Sequence, residues 1–470
     1  MRLGGANLIL PRLVIADEHR VGKIPSGVLI AHALKEQGYK LKIFMGGVDE
    51  TSLRCLQLLC NTPVTVLDPT LCDGRENLRW LFQQAASPDC INLVLTSLGG
   101  RWTEDSPFRI PRECPLLAEW LDCELIPVVY SDTSSTITIR SISEVMSQFE
   151  RSDNKRIHSV LFRAVLSNRE FELLDREAGR QISSISLGSI PRELERDTPL
   201  LTDLCAENYG RALLPLRSAG VQLKASEGQI IWGLFSALAQ AAPEWQKQRM
   251  LAPPISEKAN IAVVRHPTLT LGGNGTELLF QALGCDIIDV PLEGNVTHAV
   301  PIHGVYIPHG MTHLSLPRFF SNLYLKTMIT RAAEGQFFFF AEGCSAPLLG
   351  ETITLPSSGR GDGASGRGFG LMPFSSVYKS TSLGQALKVV GFRKRRNALI
   401  SGSQEWVWGY ISPNLLINPT DPEEVCWEVR EGMDGKPLWN DAWSKGRALV
   451  TAMRPEFWSC PESFRRWLEG

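Results

Sequence analysis

The sequence predicts an α/β protein of two domains, each built on a mostly parallel sheet. Three observations predict it. Short apolar runs alternate with helix-like segments up to about residue 245, a polar stretch with three prolines (APEWQKQRMLAPPISEKAN) follows, and a second alternation then begins. Strands alternating with helices form parallel sheets covered on both faces. The 470 residues also exceed the roughly 250 to 300 that one hydrophobic core supports, so the chain should divide.

The predicted domains span 1–245 and 259–470, with 246–258 as the linker. In the first, LILPRLVIAD reads as the opening buried strand and SGVLIAHALKEQG as the helix after it. The runs YKLKIFMGG, INLVLTSLGG, ELIPVVYSD and HSVLFRAVLS read as further strands. In the second, NIAVVRHP, TELLFQALGCDIIDVPL and HGVYIPHG continue the alternation, FFSNLYLKTMITRAAEG reads as one long helix, and QFFFFAEGCSAPLLG as a strand with a turn. The segment SSGRGDGASGRGFG at 357–370 is too rich in Gly and Ser to bury apolar surface and reads as a mobile insertion loop.

Composition excludes several classes. Apolar residues make up 43% and charged residues 21%, with a mean hydropathy of -0.05, which suits a globular chain rather than a disordered one. The net charge of -2 leaves no basic field for nucleic acid or an anionic membrane surface. No run approaches the roughly 18 apolar residues of a membrane span, and a proline and charges interrupt the N-terminal apolar stretch as no signal peptide would be. Eleven cysteines without C-x-x-C pairs, set among apolar neighbours, read as reduced core residues of a cytoplasmic protein.

Two constellations carry chemistry. The first is VIADEHRVGKIPSGVLIAHALKEQG: a strand, a turn at Gly22-Lys23, and a helix beginning near Pro25. Backbone amides at a helix N-terminus, with a lysine, are how such turns hold phosphate. Gly22, Lys23 and Ser26 are therefore the ATP-binding candidates, although Arg20, Ile24 and Pro25 stand where a phosphate loop has further glycine and a Mg²⁺-binding hydroxyl. A plain strand-turn-helix without ligand fits the same residues. The second is FFFFAEGCSAPLLGETI, a strand and sharp turn of the kind that presents a nucleophile at the carboxyl edge of a sheet. Cys344 is the candidate nucleophile, with a buried bystander thiol as the alternative. A cysteine nucleophile needs a base, usually histidine, yet none of the eight histidines follows His313, which leaves as the alternative a dyad in which His309 or His313, from the preceding turn, swings towards Cys344. His298, His303, His309 and His313 do not share a metal-ligand spacing. The late tryptophans, Trp406 to Trp467, suit core packing or stacking on a flat ring.

Ordered segments beyond these two resemble the cobyrinic acid a,c-diamide synthase family. GYKLKIFMGGVDETSL is similar to the family's strand ending in G-P-D-Y-I-D, with Asp49 at its first aspartate and Ser52 at its second. INLVLTSLGGRW is similar to the strand ending in V-E-G-V-M-G, with Thr96 at its glutamate. LFRAVLSNREFELLDREA and SLGSIPRE resemble the segments that close the family's ATP domain. The family's A-E-C-G-G turn aligns its cysteine with Gly343, one residue before Cys344, and its C-terminal histidine with a region offering Pro455 and Glu456. Pro308, which has no N–H, stands in the turn of oxyanion donors.

The resemblance implies a P-loop, dethiobiotin synthetase-like domain followed by a class I glutamine amidotransferase-like domain. It implies a carbon–nitrogen ligase in which Lys23 holds the phosphate of ATP with Mg²⁺, Asp49 positions metal or acyl phosphate, and Cys344 opens glutamine to amidate a tetrapyrrole. Because the chemical side chains are replaced while the order persists, the expectation is a pseudoenzyme in cobalamin- or sirohaem-type metabolism, with ATP binding weak or lost. It would keep a cleft between domains for a tetrapyrrole or a protein partner, and a homodimer is compatible with this. An active amidoligase using glutamine or free ammonia, and a scaffold subunit without small ligand, are the alternatives.

Overall fold

The computed structural model describes residues 7–101, 103, 106–131, 134–151, 157–181, 184–225, 230–293, 300–356, 365–380, 386–395, 405–421 and 424–469. The chain forms two compact units. The first holds most residues up to Arg249, and the second holds Met250–Gly470 together with Leu71–Asp73 and Leu201–Glu207. The expected α/β class, with parallel sheets, is what both contain. No described helix is long and apolar enough to cross a membrane.

The first unit is built on seven parallel strands: β1 (Arg12–Glu18), β2 (Leu41–Gly46), β3 (Val64–Val66), β4 (Ile91–Gly99), β5 (Leu125–Tyr130), β6 (Ser159–Val165) and β7 (Ile185–Pro191). Their order is β3-β2-β4-β1-β5-β6-β7. All seven residues of β1 are buried, including Arg12. That guanidinium donates to the carbonyls of Leu121, Leu10 and Pro243, at 2.5, 2.9 and 2.8 Å, and stacks on Trp245, so the buried cation is met by carbonyl oxygens and an aromatic face. Helix α1 (Ser26–Glu36) follows β1, with Pro25 as its N-cap residue, a position that lacks an intrahelical N–H bond in any helix. Helix α2 (Glu50–Cys60) follows β2, and α3 (Gly210–Ala225) packs on α1.

Part of the stretch read as linker belongs to the first unit. Gln246 pairs antiparallel with Asn7, and the Gln248 amide donates to Gln83. Pro11 separates the short strand Asn7–Leu8 from β1, so the opening apolar run is two strands, as a residue without an amide donor would favour.

The second unit centres on six strands: β8 (Asn260–Arg265), β9 (Asp286–Pro291), β10 (Gly304–Ile307), β11 (Phe338–Glu342), β12 (Trp443–Lys445) and β13 (Ala448–Thr451). The order is β9-β8-β10-β11-β13-β12, parallel except for the antiparallel edge strand β12. Phe280, Phe338, Phe464 and Trp467 pack ring against ring in its core. Trp427, Trp443 and Trp458 are also buried.

Three expectations for this unit are corrected. The segment read as one long helix is two, α4 (Leu316–Ser321) and α5 (Leu323–Ala333), because Asn322 leaves helical geometry and its side chain caps α5 by accepting from the Leu325 amide at 2.8 Å. Of the loop read at 357–370, residues 357–364 lie outside the described residues, but Ser365–Arg367 is a strand pairing with Thr352–Thr354. And between Thr352 and Asp441 the described residues contain no α-helix. They form a four-stranded and most of a five-stranded sheet, an insertion that the α/β alternation does not announce.

Candidate functional site

The turn after β1 places Gly22, Lys23 and Ser26 together, as the sequence predicts, and surrounds them with partners the sequence does not show. Gly22 takes φ +75°, a conformation that favours glycine. The segment 195–198 runs antiparallel along the turn: the Ile24 amide donates to Arg196 O at 3.1 Å, and the Thr198 amide to Gly22 O at 2.9 Å. Lys23 pairs with Asp197 at 2.7 Å, and this carboxylate raises the lysine pKa. Ile24 and Ser26 are each 1% exposed, and the Ser26 hydroxyl has no hydrogen-bond partner among the described residues.

The chain's own acid sits at the helix N-terminus. Asp17, buried at the end of β1, accepts from the Gly27 amide in the first turn of α1 at 3.1 Å. A helix N-terminus attracts an anion, and here a side chain supplies it. Asp17 is also paired at 2.5 Å with Arg163, which reaches Glu195 at 2.7 Å. Next to Arg163, β6 carries a register shift at Ala164, which has φ +59°, rare for a residue with a Cβ and typical of a bulge that re-aims its neighbours. Glu18, also buried, accepts from the Tyr130 amide, and burial pushes its pKa up. Each of these two carboxyls is paired with an arginine, Asp17 with Arg163 and Glu18 with Arg20 at 3.3 Å.

Asp49 serves its own helix rather than this turn. It is the N-cap of α2: its oxygens accept from the amides of Thr51 and Ser52 and, at 2.5 Å, from the Ser52 hydroxyl. Thr96 donates to Gly46 O at 3.3 Å.

In the second unit β11 ends at Glu342 and a 3₁₀ segment, Gly343–Leu349, follows at once. Gly343 takes φ +61°, the left-handed geometry of a sharp turn. A Cβ built on it would lie 2.2 Å from His309 Nδ1. The imidazole of His309 thus fills the space a side chain at 343 would use. The same Nδ1 accepts from the Cys344 amide at 3.0 Å, so the ring carries its proton on Nε2. In strand-turn nucleophile sites the amide after the nucleophile is an oxyanion donor; with Gly343 at the position of the family's cysteine, that amide is Cys344's, and His309 engages it.

Cys344 is 1% exposed. Its carbonyl accepts from Thr312 Oγ1 at 2.6 Å and from the Tyr378 hydroxyl at 2.9 Å, and the ring of His313 packs on Tyr378 with centroids 4.6 Å apart. Ser345 Oγ donates to Pro308 O at 2.5 Å, and the Met311 amide, a neighbouring donor, goes to Thr268 O at 2.7 Å. His303 accepts from the Asn260 amide, and His298 lies outside the described residues.

Glu342, His309 and Arg454 surround Gly272. A Cβ there would lie 3.3 Å from Arg454 Cδ, 3.4 Å from His309 Cβ and 3.8 Å from Glu342 Oε1. Glu342 is 1% exposed and accepts from the Tyr306 hydroxyl at 2.5 Å. Burial pushes its pKa up to about 7, while the Tyr306 hydroxyl and Arg454 pull the other way. Sequence reasoning named Pro455 and Glu456 but missed the preceding Arg454, whose guanidinium lies over Tyr410 at 4.8 Å. It also missed Asp17, Arg163 and Glu195. Acids and an arginine inside apolar strands (LVIADE, LFRAVL) were the available signal.

No family model matches the chain, and no curated protein does. Solved structures similar to it include PurLQS from Thermotoga maritima, at 12% identity and TM-score 0.30 over 45% of this chain and 96% of that one. A glutamine amidotransferase from the same organism is similar at 10% identity and TM-score 0.30, over 42% and 75%. FlhF complexed with GTP and Mg²⁺ is similar at 14% identity and TM-score 0.26, over 40% and 66%. TM-scores this low fit many α/β chains, and the fold rests on the strand orders themselves.

Proposed function

We propose that this chain is a divergent cobyrinic acid a,c-diamide synthase-like protein that no longer hydrolyses glutamine and acts by binding, holding a tetrapyrrole or a protein partner in tetrapyrrole metabolism. One observation carries the loss of chemistry: His309 takes the side-chain space of Gly343 and the amide of Cys344 together. A glutamine carbonyl would find neither an exposed nucleophile nor that donor. Groups of this kind act as a unit, so removing several leaves nothing above background.

The turn after β1 supports the same reading for the other half of the reaction. Its residues do not fit Mg-ATP, since Asp17 holds the Gly27 amide, Asp197 holds Lys23, and Ile24 offers no oxygen to a metal. The tetrapyrrole or partner rests on the ordered segments that resemble the family.

Three measurements on the purified protein test this proposal: glutamate release from glutamine, calorimetric titration with Mg-ATP, and absorbance titration with sirohaem and a cobyrinic acid. The expected result is no glutamate, no ATP heat, and a saturable tetrapyrrole shift or capture of a tetrapyrrole enzyme. Glutamate release abolished by Cys344→Ala would overturn the loss of catalysis. Absence of binding to either tetrapyrroles or such enzymes would overturn the binding role.

A further inference from the structure

A cavity of about 460 Å³ lies between the insertion and β12, within the roughly 300 to 1,000 Å³ of small-molecule sites. It borders the end of the 3₁₀ segment, since the Met372 amide in its wall donates to Leu349 O at 3.0 Å. Its apolar wall is Leu371, Met372 and Trp443, all buried. The indole N–H of Trp443 finds no acceptor among the described residues, although a buried donor normally has one. Two cations, Arg395 and Lys445, and two carboxylates, Glu351 and Glu424, complete the lining.

None of these four charges forms an ion pair among the described residues. Glu351 has one polar contact, accepting from Thr420 Oγ1 at 3.3 Å. These four charges, two of each sign, stay exposed to solvent around one concave space. A polyphosphate would meet both carboxylates, and a polyamine both cations. A molecule with one ammonium and one carboxylate is the class that answers both signs, and the apolar wall favours an aliphatic or aromatic body between them.

We propose that this cavity binds a small zwitterion with apolar side chains, of the size of a dipeptide. Its carboxylate is held by Arg395 and Lys445, its ammonium by Glu351 and Glu424, and its body lies along Leu371 and Met372.

The probe is leucyl-phenylalanine, titrated calorimetrically into the full chain, beside its N-acetylated and C-amidated forms and inorganic pyrophosphate. The free dipeptide should bind in the micromolar to millimolar range, and blocking either end should weaken binding at least tenfold. R395Q/K445Q should weaken the free dipeptide at least tenfold and bring it level with the amidated form, and E351Q/E424Q should do the same for the acetylated form. All four residues are exposed, so these variants should fold, which a circular dichroism melt checks. No heat with any zwitterion, equal binding of the blocked forms, or stronger binding of pyrophosphate would overturn the proposal.

Discussion

The Nδ1 of His309 lies 2.2 Å from where a Cβ on Gly343 would stand, so position 343 holds a glycine for two reasons, its φ of +61° and the histidine. A left-handed φ costs a residue with a Cβ roughly 1 to 3 kcal/mol, and the overlap adds to it. Gly343→Ala should therefore lower stability by at least about 2 kcal/mol. In Gly343→Ala/His309→Ala the overlap is removed and only the backbone strain and the lost imidazole contacts remain. Urea unfolding of the four proteins measures this, and the double variant should be less destabilised than the sum of the singles. Strict additivity would mean that His309 does not occupy the space.

Glu342 ties the same turn to pH. Its carboxyl is raised from an ordinary 4.5 to about 7 by burial. The folded state therefore holds a proton that the unfolded chain releases above pH 4.5. Stability contributed by the neutral acid is full below pH 4.5 and is lost as pH rises towards 7, by up to roughly 3 kcal/mol. Glu342→Gln keeps the neutral shape, so the difference in unfolding free energy between variant and wild type should grow in the variant's favour from pH 5 to pH 8. A pH-independent difference would show that Glu342 is ionised in the fold.

In the first unit His32 titrates in the opposite sense. It is 2% exposed between α1 and α3, and a Cβ on Gly220 would meet its Cδ2 at 2.5 Å. Burial lowers its pKa below the ordinary 6.5. The unfolded chain thus takes up the proton first, and stability falls as pH drops below 6.5. His32→Leu should flatten this acid limb, read from melting temperatures between pH 7 and pH 5. Gly220→Ala, which in an open helix would stabilise by roughly 0.5 to 1 kcal/mol, should instead destabilise by about 1 to 3 kcal/mol through overpacking. A stabilised Gly220→Ala would show that the helices are not in close contact at that point.

The sequence made the two alternations legible because their strands are continuous apolar runs, LVIAD and FFFF among them, and buried parallel strands need nothing else. The register of the elbow was legible too, since the residue after Glu342 must carry the left-handed φ, and that residue is glycine, with Cys344 behind it. An approach of His309 or His313 to Cys344 was open from the sequence, but not that His309 takes the space at 343 and the Cys344 amide: this is set by tertiary approach of two loops 34 residues apart (309 to 343), and no local pattern encodes it. Asp17 meeting Arg163, 146 positions away, is hidden for the same reason. The break at Asn322 was missed because apolar periodicity continues across it, while the capping side chain acts only once the helix has bent. The sheets between Thr352 and Asp441 were missed because their strands are short and carry Gly, Ser and Pro, which read as loop.

The turn after β1 invites a simple repair. Ile24 stands where a phosphate loop has the hydroxyl that binds Mg²⁺, so Ile24→Thr restores the missing group. It should not restore binding. Ile24 is 1% exposed beneath the segment 195–198, its amide is bonded to Arg196 O and its carbonyl to Arg163. The anion position at the N-terminus of α1 already holds Asp17, which pairs with Arg163 at 2.5 Å. An ATP phosphate would have to displace a carboxylate from a buried pair, and breaking such a pair costs roughly 3 to 5 kcal/mol, equal to a factor of a hundred or more in affinity. Calorimetric titration of Ile24→Thr with Mg-ATP should therefore match the wild type, with no saturable heat at millimolar nucleotide. Asp17→Asn in the same background weakens the competitor without removing its shape, and its arginine partner then faces the turn with one charge fewer opposed. If any variant of this turn gains ATP affinity, it should be that double variant. Micromolar, Mg²⁺-dependent binding by Ile24→Thr alone would show that Asp17 yields the helix terminus readily, and the turn would have to be read as a phosphate loop after all.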